Sequence, residues 1–476
     1  MRPFRPVFSY ATFLVIVFIT MLVLFESCAN VIPPTGGPRD TIPPIPVSIK
    51  PADSTLNFRG DRIELVFNEY VQLGDLQKNL VVSPTPKVFP VVTSRLRTIT
   101  IRIKDTLDPN TTYVLDFGKS IQDINESNPL TGFRYAFSTG PYLDSLELGG
   151  VVTLAETGKT DSTMIVMLHK NLEDSAVTNE RPRYYTTVDS SGRFLFRNLA
   201  PGTYALYALK DEGGSRRYMS PGQLFAFADS PLVISGETAP VELLAYSEPE
   251  PVKPVKAAPK APTSRREEKE AEQDKRLRFG TSLENGQQDL LKPLTITFPD
   301  PLKAFDSTKL ILADAQFKPI EGYTLARDTT NRIFTLSYNW PLEQEFVLIS
   351  EKGMAEDSLG KSILRNDTLR FKTMKETDYG SIKFRIANVD TARNPVLQLV
   401  QNNNVLFSYR IRGRDLVIQR FRPAEFELRV LYDTNGNGVW DHGVFYGERR
   451  QPERVQAIGK KVNIKANWDN EIDISL

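Results

Sequence analysis

Asp189–Asp211 reads DSSGRFLFRNLAPGTYALYALKD. Asp189 to Gly192 form a turn. Phe194 and Phe196 then alternate with polar residues, as a half-buried strand requires. Leu199-Ala200-Pro201-Gly202 makes a corner, and Tyr204 and Leu206 return on a second strand. Proline fits where no ladder donor is needed, and Gly202 is expected to supply a positive φ at the corner. The pattern returns 222 residues later. Pro201 maps onto Pro423, Tyr204 onto Phe426, Leu206 onto Leu428 and Asp211 onto Asp433, while Phe196 and Leu199 map onto Ile418 and Phe421. One offset that keeps corner, alternation and final acid implies duplication of a two-part unit.

Working outward, 476 residues exceed one ordinary domain, and three to five are expected. The hydrophobic share of 40% and charged share of 25% belong to a folded chain. A net charge of +1 offers no field for nucleic acid. Thirty-three prolines and twenty-seven phenylalanines suit many short strands with punctuated turns. The single cysteine, Cys28, rules out an intramolecular disulfide.

Arg2 and Arg5 precede an apolar run from Val7 to Phe25, the order of an export signal. The run is also long enough to remain as an uncleaved membrane anchor. Phe25-Glu26-Ser27-Cys28 resembles a bacterial lipobox of the looser type in Bacteroidetes envelope lipoproteins, with Glu26 departing from the usual small or apolar residue. The resemblance implies a signal peptide over 1–27 and acylation of Cys28, with membrane lipid as partner. Residues 28–41 then form a Pro/Gly tether. No acidic run follows Cys28, which in this lipoprotein type favours the periplasmic leaflet of the outer membrane over surface display.

Residues 42–140 carry four alternating segments: Ile63/Leu65/Phe67, Ile99/Ile101/Ile103, Tyr113/Leu115/Phe117 and Phe133/Tyr135/Phe137. Turn clusters at Asp108-Pro109-Asn110 and Asn125 to Pro129 separate them, and the spacing reads as a β-sandwich. Pro43-Pro44, Val66-Phe67-Asn68-Glu69, Leu107 to Tyr113, Ile121 to Asn125 and the closing Phe137-Ser138-Thr139-Gly140 resemble the bacterial Ig-like domain of the S-layer-protein type. That family implies a structural and binding module without catalytic residues. Asp123, Asn125 and Glu126 read either as cation ligands or as loop residues satisfying their own backbone.

Residues 145–246 contain the Asp189 stretch and the apolar run Met164–Leu168, which suits a strand buried on both faces. The corner motif resembles the prealbumin-like sandwich of carboxypeptidase regulatory and Cna-B domains. It implies a rigid spacer or docking module. No Lys–Asn pair on facing strands suggests the isopeptide bond of some Cna-B relatives. His169 and His442 stand 273 positions apart and, with no free cysteine, make neither a histidine-rich metal site nor a thiol nucleophile.

Residues 248–276 form a proline- and charge-rich linker, either a plain spacer or a docking segment. A second, divergent Ig-like pattern covers 277–374, and residues 378–476 carry the second copy of the corner. Within it lies Asp433-Thr434-Asn435-Gly436-Asn437-Gly438-Val439-Trp440-Asp441. Asp433, Asn435, Asn437 and Asp441, with the Val439 carbonyl, copy the start of a calcium loop, though Val444 replaces the bidentate glutamate of an EF-hand. The alternatives are a calcium-stabilised loop and an Asn-Gly hairpin tip.

The expected fold is therefore all-β: tandem Ig-like and prealbumin-like β-sandwiches behind a lipoprotein signal, with a Pro-rich linker. The expected function is a non-catalytic, lipid-anchored envelope scaffold with a protein or glycan partner and no cofactor beyond that calcium. A glycan-binding module of an uptake or adhesion system is the alternative; of the three tryptophans, Trp340, Trp440 and Trp468, the candidate platforms are Trp440 and Trp468, each of which reads equally as core. A two-carboxylate glycan hydrolase ranks third. No HExxH, GxSxG or phosphate-binding glycine loop occurs.

Overall fold

The computed structural model describes residues 13–15, 17–18, 39–249 and 276–476. The lipidation reading at Cys28 and most of the linker lie outside the described residues. Strand makes up 46% of the chain and helix 5%, so the fold is all-β, a series of Ig-like sandwiches. Contacts divide the chain into two compact units, Met1–Val82 with Pro86–Leu143 and Ser83–Thr85 with Asp144–Leu476.

The first sandwich comprises β1 (Pro46–Lys50), β2 (Arg62–Phe67), β3 (Val71–Leu73), β4 (Val81–Ser83), β5 (Val91–Arg95), β6 (Thr98–Arg102), β7 (Thr112–Asp116), β8 (Ile121–Asp123) and β9 (Arg134–Ser138), with the short α1 (Leu76–Asn79). Its sheets run β1-β2-β6-β5 and β4-β7-β9, with β3 paired to β8. Alternation decides which face is buried. Ile63, Leu65, Phe67, Ile99, Ile101, Leu115 and Phe137 all point into one core.

Among the described residues, the second unit holds three further sandwiches. The second sandwich is built from β10 (Leu146–Leu154), β11 (Met164–His169), β12 (Tyr184–Thr187), β13 (Arg193–Leu199), β14 (Gly202–Lys210), β15 (Phe225–Phe227), β16 (Leu232–Ile234) and β17 (Val241–Ala245), with α2 (Ala176–Asn179). The third has β18 (Gly280–Thr281), β19 (Gln287–Gln288), β20 (Leu294–Thr297), β21 (Leu302–Phe305), β22 (Leu310–Asp314), β23 (Thr324–Arg327), β24 (Ile333–Ser337), β25 (Glu345–Ser350), β26 (Ala355–Asp357) and β27 (Asp367–Thr373). The fourth has β28 (Gly380–Ala387), β29 (Pro395–Gln401), β30 (Asn404–Arg410), β31 (Asp415–Phe421), β32 (Ala424–Tyr432), β33 (Arg454–Ile464) and β34 (Asp469–Ser475).

The duplicated corner is duplicated topology. In the second sandwich the sheets are β13-β10-β17 and β12-β11-β14-β15; in the fourth they are β31-β28-β34 and β30-β29-β32-β33. β17 lies parallel to β10 as β34 lies parallel to β28. The register slips between Leu146 and Leu148 against β13, and between Gly380 and Ile382 against β31. The same irregularity therefore recurs opposite each copy of the corner. The third sandwich repeats the first: β18-β20-β24-β23, β22-β25-β27 and the β21–β26 pair match β1-β2-β6-β5, β4-β7-β9 and β3–β8.

One expectation at the corner is corrected. Gly202 does not carry a positive φ; Asn198 does, at 54°. Asn198 can hold that conformation because its side-chain amide donates to the Asp144 carbonyl at 2.8 Å. Gly202 already belongs to β14, and an added Cβ would sit 3.3 Å from the Tyr204 ring.

Candidate functional site: the Asp433 loop and the seam it closes

The loop after β32 begins on Asp433, which has no exposed surface. One carboxylate oxygen accepts the N–H groups of Gly436 and Asn437 at 2.7 and 3.1 Å, and the other accepts the Gly438 N–H at 2.7 Å. Arg410 donates to the Gly436 carbonyl at 2.7 Å. The Asn435 and Asn437 amides converge on one oxygen of Asp441, at 2.6 and 2.8 Å. Their own oxygens accept the N–H groups of Asn437 and Val439.

The fold thus gathers the side chains of Asp433, Asn435, Asn437 and Asp441. Val439 stands 65% exposed at the tip. Rotating both amides would turn their oxygens toward Asp441 and present a cation with oxygen donors, at the cost of two turn hydrogen bonds. As built, the donors of the loop occupy its oxygens. Among the described residues, no group of three or more His, Cys, Asp or Glu side chains is placed to hold a metal.

Sequence reasoning missed Glu453, which is 4% exposed and braces the loop from its far end. One carboxylate oxygen accepts the Thr434 N–H and hydroxyl, both at 2.7 Å; the other accepts the Asp441 N–H at 3.1 Å. The Trp440 indole N–H donates to the Glu453 carbonyl at 2.7 Å, and the ring packs on Val396, Leu431 and Val455. Trp440 is therefore a packing residue rather than an open platform. Trp340 lies in the third core, whereas Trp468 is 62% exposed.

The second copy at Asp211 keeps the same cage in reduced form, accepting the Ser215 and Arg216 N–H groups at 3.0 and 2.9 Å. Asp123 does likewise in the first sandwich. Burial alone would push its carboxyl up; the N–H groups of Glu126, Asn128 and Ser127 outweigh it and hold it below the usual carboxylate range. Asp123 is thus occupied with its own loop.

Beyond Asp441 the chain crosses to the second sandwich. Met164, Val166 and Leu168 of β11 face the core. Alternation puts Met167 and His169 on the outer face with Tyr207, which Met167 opposes. That face is covered by Phe445, itself fully buried. Its ring lies 4.9 Å from Phe225, 5.2 Å from Phe227 and 5.7 Å from Tyr207. The unbroken apolar run of β11 follows from this second cover.

Polar contacts lock the seam. Arg449 pairs with Asp174, donates to the Ala228 carbonyl at 3.0 Å and lies over Phe227 and Phe445. Its φ of 47° is a strained value for arginine, held by these contacts. Gln451 reaches the Phe227 carbonyl and Asp229, Arg454 pairs with Glu242, and Lys159 pairs with Glu427. The Tyr446 and Thr178 hydroxyls lie 2.5 Å apart. Backbones meet closely: a Cβ on Gly158 would fall 2.5 Å from the Ala457 nitrogen, and one on Gly443 2.6 Å from the Tyr246 ring.

His169 sits beneath the seam, 1% exposed, its ring edge-on to Tyr207 at 5.6 Å. Burial pushes its pKa down to about 4, against a smaller upward pull from Glu180. A further join ties the third and fourth sandwiches. The Tyr379 hydroxyl donates to Asp289 at 2.8 Å while accepting the Leu290 N–H, and Arg422 pairs with Glu284 and Asp289. Burial, with Asp289 alongside, pushes the Tyr379 phenol up.

Residues 40–139 match the bacterial Ig-like domain family. No curated protein matches the chain. Among solved structures, the Bacillus anthracis TIE protein is similar over 93% of this chain and 75% of its own, at 11% identity and a TM-score of 0.17. BcpA, the major pilin subunit of Bacillus cereus, is similar over 70% of this chain and 99% of its own, at 10% identity and a TM-score of 0.17. The N-terminal part of the bacterial S-layer protein SbsC matches over 33% and 39%, at 16% identity and a TM-score of 0.15. None of these likenesses bears on function. Among the described residues no helix is long and apolar enough to cross a membrane.

Proposed function

We propose that this chain is a non-catalytic cell-envelope scaffold, tethered to membrane lipid through Cys28, that holds Ig-like binding modules on a rigid spacer of prealbumin-like sandwiches. The seam carries the reading. Phe445 fills the outer face of the second sandwich, and Arg449, Gln451 and Arg454 clamp its rim. A buried aromatic ringed by guanidinium and amide contacts is how lasting interfaces are built. The polar groups of the Asp433 loop are spent on holding the loop and the seam beside it. Calcium at Asp433, Asn435, Asn437, the Val439 carbonyl and Asp441 belongs to this reading only as a stiffener of weak affinity.

Rigidity is the testable property. In a Cys28→Ser background, spin labels at exposed Ser190 and Asn402 report the distance between second and fourth sandwiches. A scaffold gives one narrow distribution, broadened by Phe445→Ala. A broad distribution in the parent protein would describe beads on a string and remove the support.

The second reading is glycan binding, favoured by the open ring of Trp468 with Lys465 5.6 Å above it. Retention on a glycan column that Trp468→Ala abolishes would establish it. Equal retention of both proteins would dismiss it.

A further inference from the structure

Leu96 stands where a leucine has little reason to be. Arg95 and Thr98 close the β5–β6 hairpin around Leu96-Arg97, and Leu96 takes a φ of 52°. Glycine is the ordinary residue for a positive φ at the first position of such a turn, and a bulky side chain there is strained. Leu96 is also 66% exposed, so no burial offsets that cost.

Its neighbours share the exposure. The Val71 N–H donates to the Leu96 carbonyl at 2.9 Å, and the Ile124 N–H to the Tyr70 carbonyl at 3.2 Å. The Asn68 N–H donates to the Ile45 carbonyl at 3.0 Å, and the Asn68 side chain accepts the Ile45 N–H at 2.7 Å. Ile42, Ile45, Val47, Tyr70, Leu96 and Ile124 are thereby gathered at one end of the first sandwich. Within residues 40–139 they are six of the nine exposed large apolar side chains, so the exposure is concentrated rather than scattered. They stand on four separate stretches: the entry into β1, the β2–β3 turn, the β5–β6 turn and the loop after β8.

Charge does not select the partner of this end. Arg39, Arg95 and Arg97 stand among Asp40, Glu69 and Glu126. Burial, with Asp123, Asp40 and Glu126 alongside, pushes the Glu69 carboxyl up, which eases its neutralisation. Arg97 lies over the Tyr70 ring at 5.5 Å. Aliphatic loop tips rimmed by a tyrosine and a guanidinium suit the boundary between lipid headgroups and acyl chains. Position points the same way. The chain enters this end at Arg39, eleven residues after Cys28. Fully extended, those residues span about 40 Å at most, so a bilayer that holds Cys28 is within reach of the six side chains.

We propose that this end of the first sandwich lies on the bilayer that holds Cys28, with Ile45, Leu96 and Ile124 entering the headgroup layer and Tyr70 and Arg97 at its rim. This contact rests on the anchor reading and adds to it: the acyl chains hold the protein, and the loop tips fix which face meets the lipid.

The test uses the full chain, acylated and reconstituted into vesicles of phosphatidylethanolamine with a minority of phosphatidylglycerol. Acylation uses the single native thiol, so one introduced cysteine can carry an environment-sensitive fluorophore. Leu96→Cys and Ile124→Cys report the proposed contact; Thr106→Cys, exposed beyond the other end of β6, is the reference. The expected result is blue-shifted emission from the first two, quenched by doxyl lipid and sheltered from iodide, with the reverse at the reference. Ile45→Asp with Tyr70→Asp, both at least half exposed and so compatible with the fold, should return the Leu96→Cys label to water while the protein stays on the vesicles. Contact labels as open to iodide as the reference, on protein still held by the vesicles, would overturn the contact and leave the anchor standing. So would labels sheltered from iodide yet unreached by doxyl lipid, which would mean cover by protein, whether residues 29–38 or a second copy. Protein that leaves the vesicles altogether would instead overturn the anchor reading, and the contact with it.

Discussion

At the residue scale, a few buried acids and one histidine carry more than their share. Asp433 satisfies three backbone N–H groups with no exposure of its own. Replacing it by alanine strands those donors, at about 1–3 kcal/mol for each that finds no water. We expect Asp433→Ala to lower the melting temperature of the second unit by several degrees, measured in EDTA and in calcium alike. A loss that appears only in calcium would instead assign the loop to a cation. His169 predicts a pH dependence. Its folded-state pKa, about 4, lies below the ordinary 6.5. As pH falls through 6.5 the unfolded chain takes a proton that the folded chain refuses, so stability falls until about pH 4 and then levels off. The full effect is about 3 kcal/mol. Denaturant titrations at pH 7 and pH 4.5 should show this loss in the parent protein, and a smaller loss in His169→Gln. An equal loss in both would remove His169 as the cause.

At the scale of elements, the fold was legible where periodicity was clean. Ile63, Leu65 and Phe67, or Ile382, Phe384 and Ile386, alternate against solvent, and each buried face is the one their period implies. The duplicated corner was legible for the same reason, because Pro201 and Pro423 punctuate equal strand lengths. The positive φ was misplaced onto Gly202, because glycine is the default and Asn198 needs a tertiary partner, Asp144, to reveal its role. The seam was harder to see. Met164–Leu168 signalled a strand covered twice, but nothing local tied it to Val444-Phe445-Tyr446, more than 270 residues away. Trp440 was read as a platform candidate since its partner, the Glu453 carbonyl, comes from a later turn. The prediction at this scale concerns Phe445. Truncation to alanine removes a ring with no exposure, at about 3–5 kcal/mol. Limited proteolysis should then cut between Asp441 and Glu453 in Phe445→Ala while the parent resists. Equal resistance would mean that the polar clamp holds the seam without the ring.

At the scale of the whole molecule, the chain repeats two sandwich types, and the later repeats are joined rather than strung. Tyr379 and Arg422 tie the third sandwich to the fourth, as Phe445 and Arg449 tie the fourth to the second. Arg422→Ala should therefore leave Asp289, only 8% exposed, short of a positive partner. The expected outcome is a drop in melting temperature that Arg422→Lys only partly restores, since lysine cannot reach Asp289 and Glu284 together as the guanidinium does. Full restoration by lysine would reduce the join to simple charge. The proposed scaffold role needs one end held at the membrane, and the proposed anchor is an acylated Cys28. The most direct measurement is to grow cells in an alkyne fatty acid and recover the parent protein and Cys28→Ser from membrane and soluble fractions. An acylated Cys28 puts label on the parent in the membrane fraction and leaves an unlabelled Cys28→Ser protein that is released. A parent without label, or a Cys28→Ser protein equally held by the membrane, would contradict it.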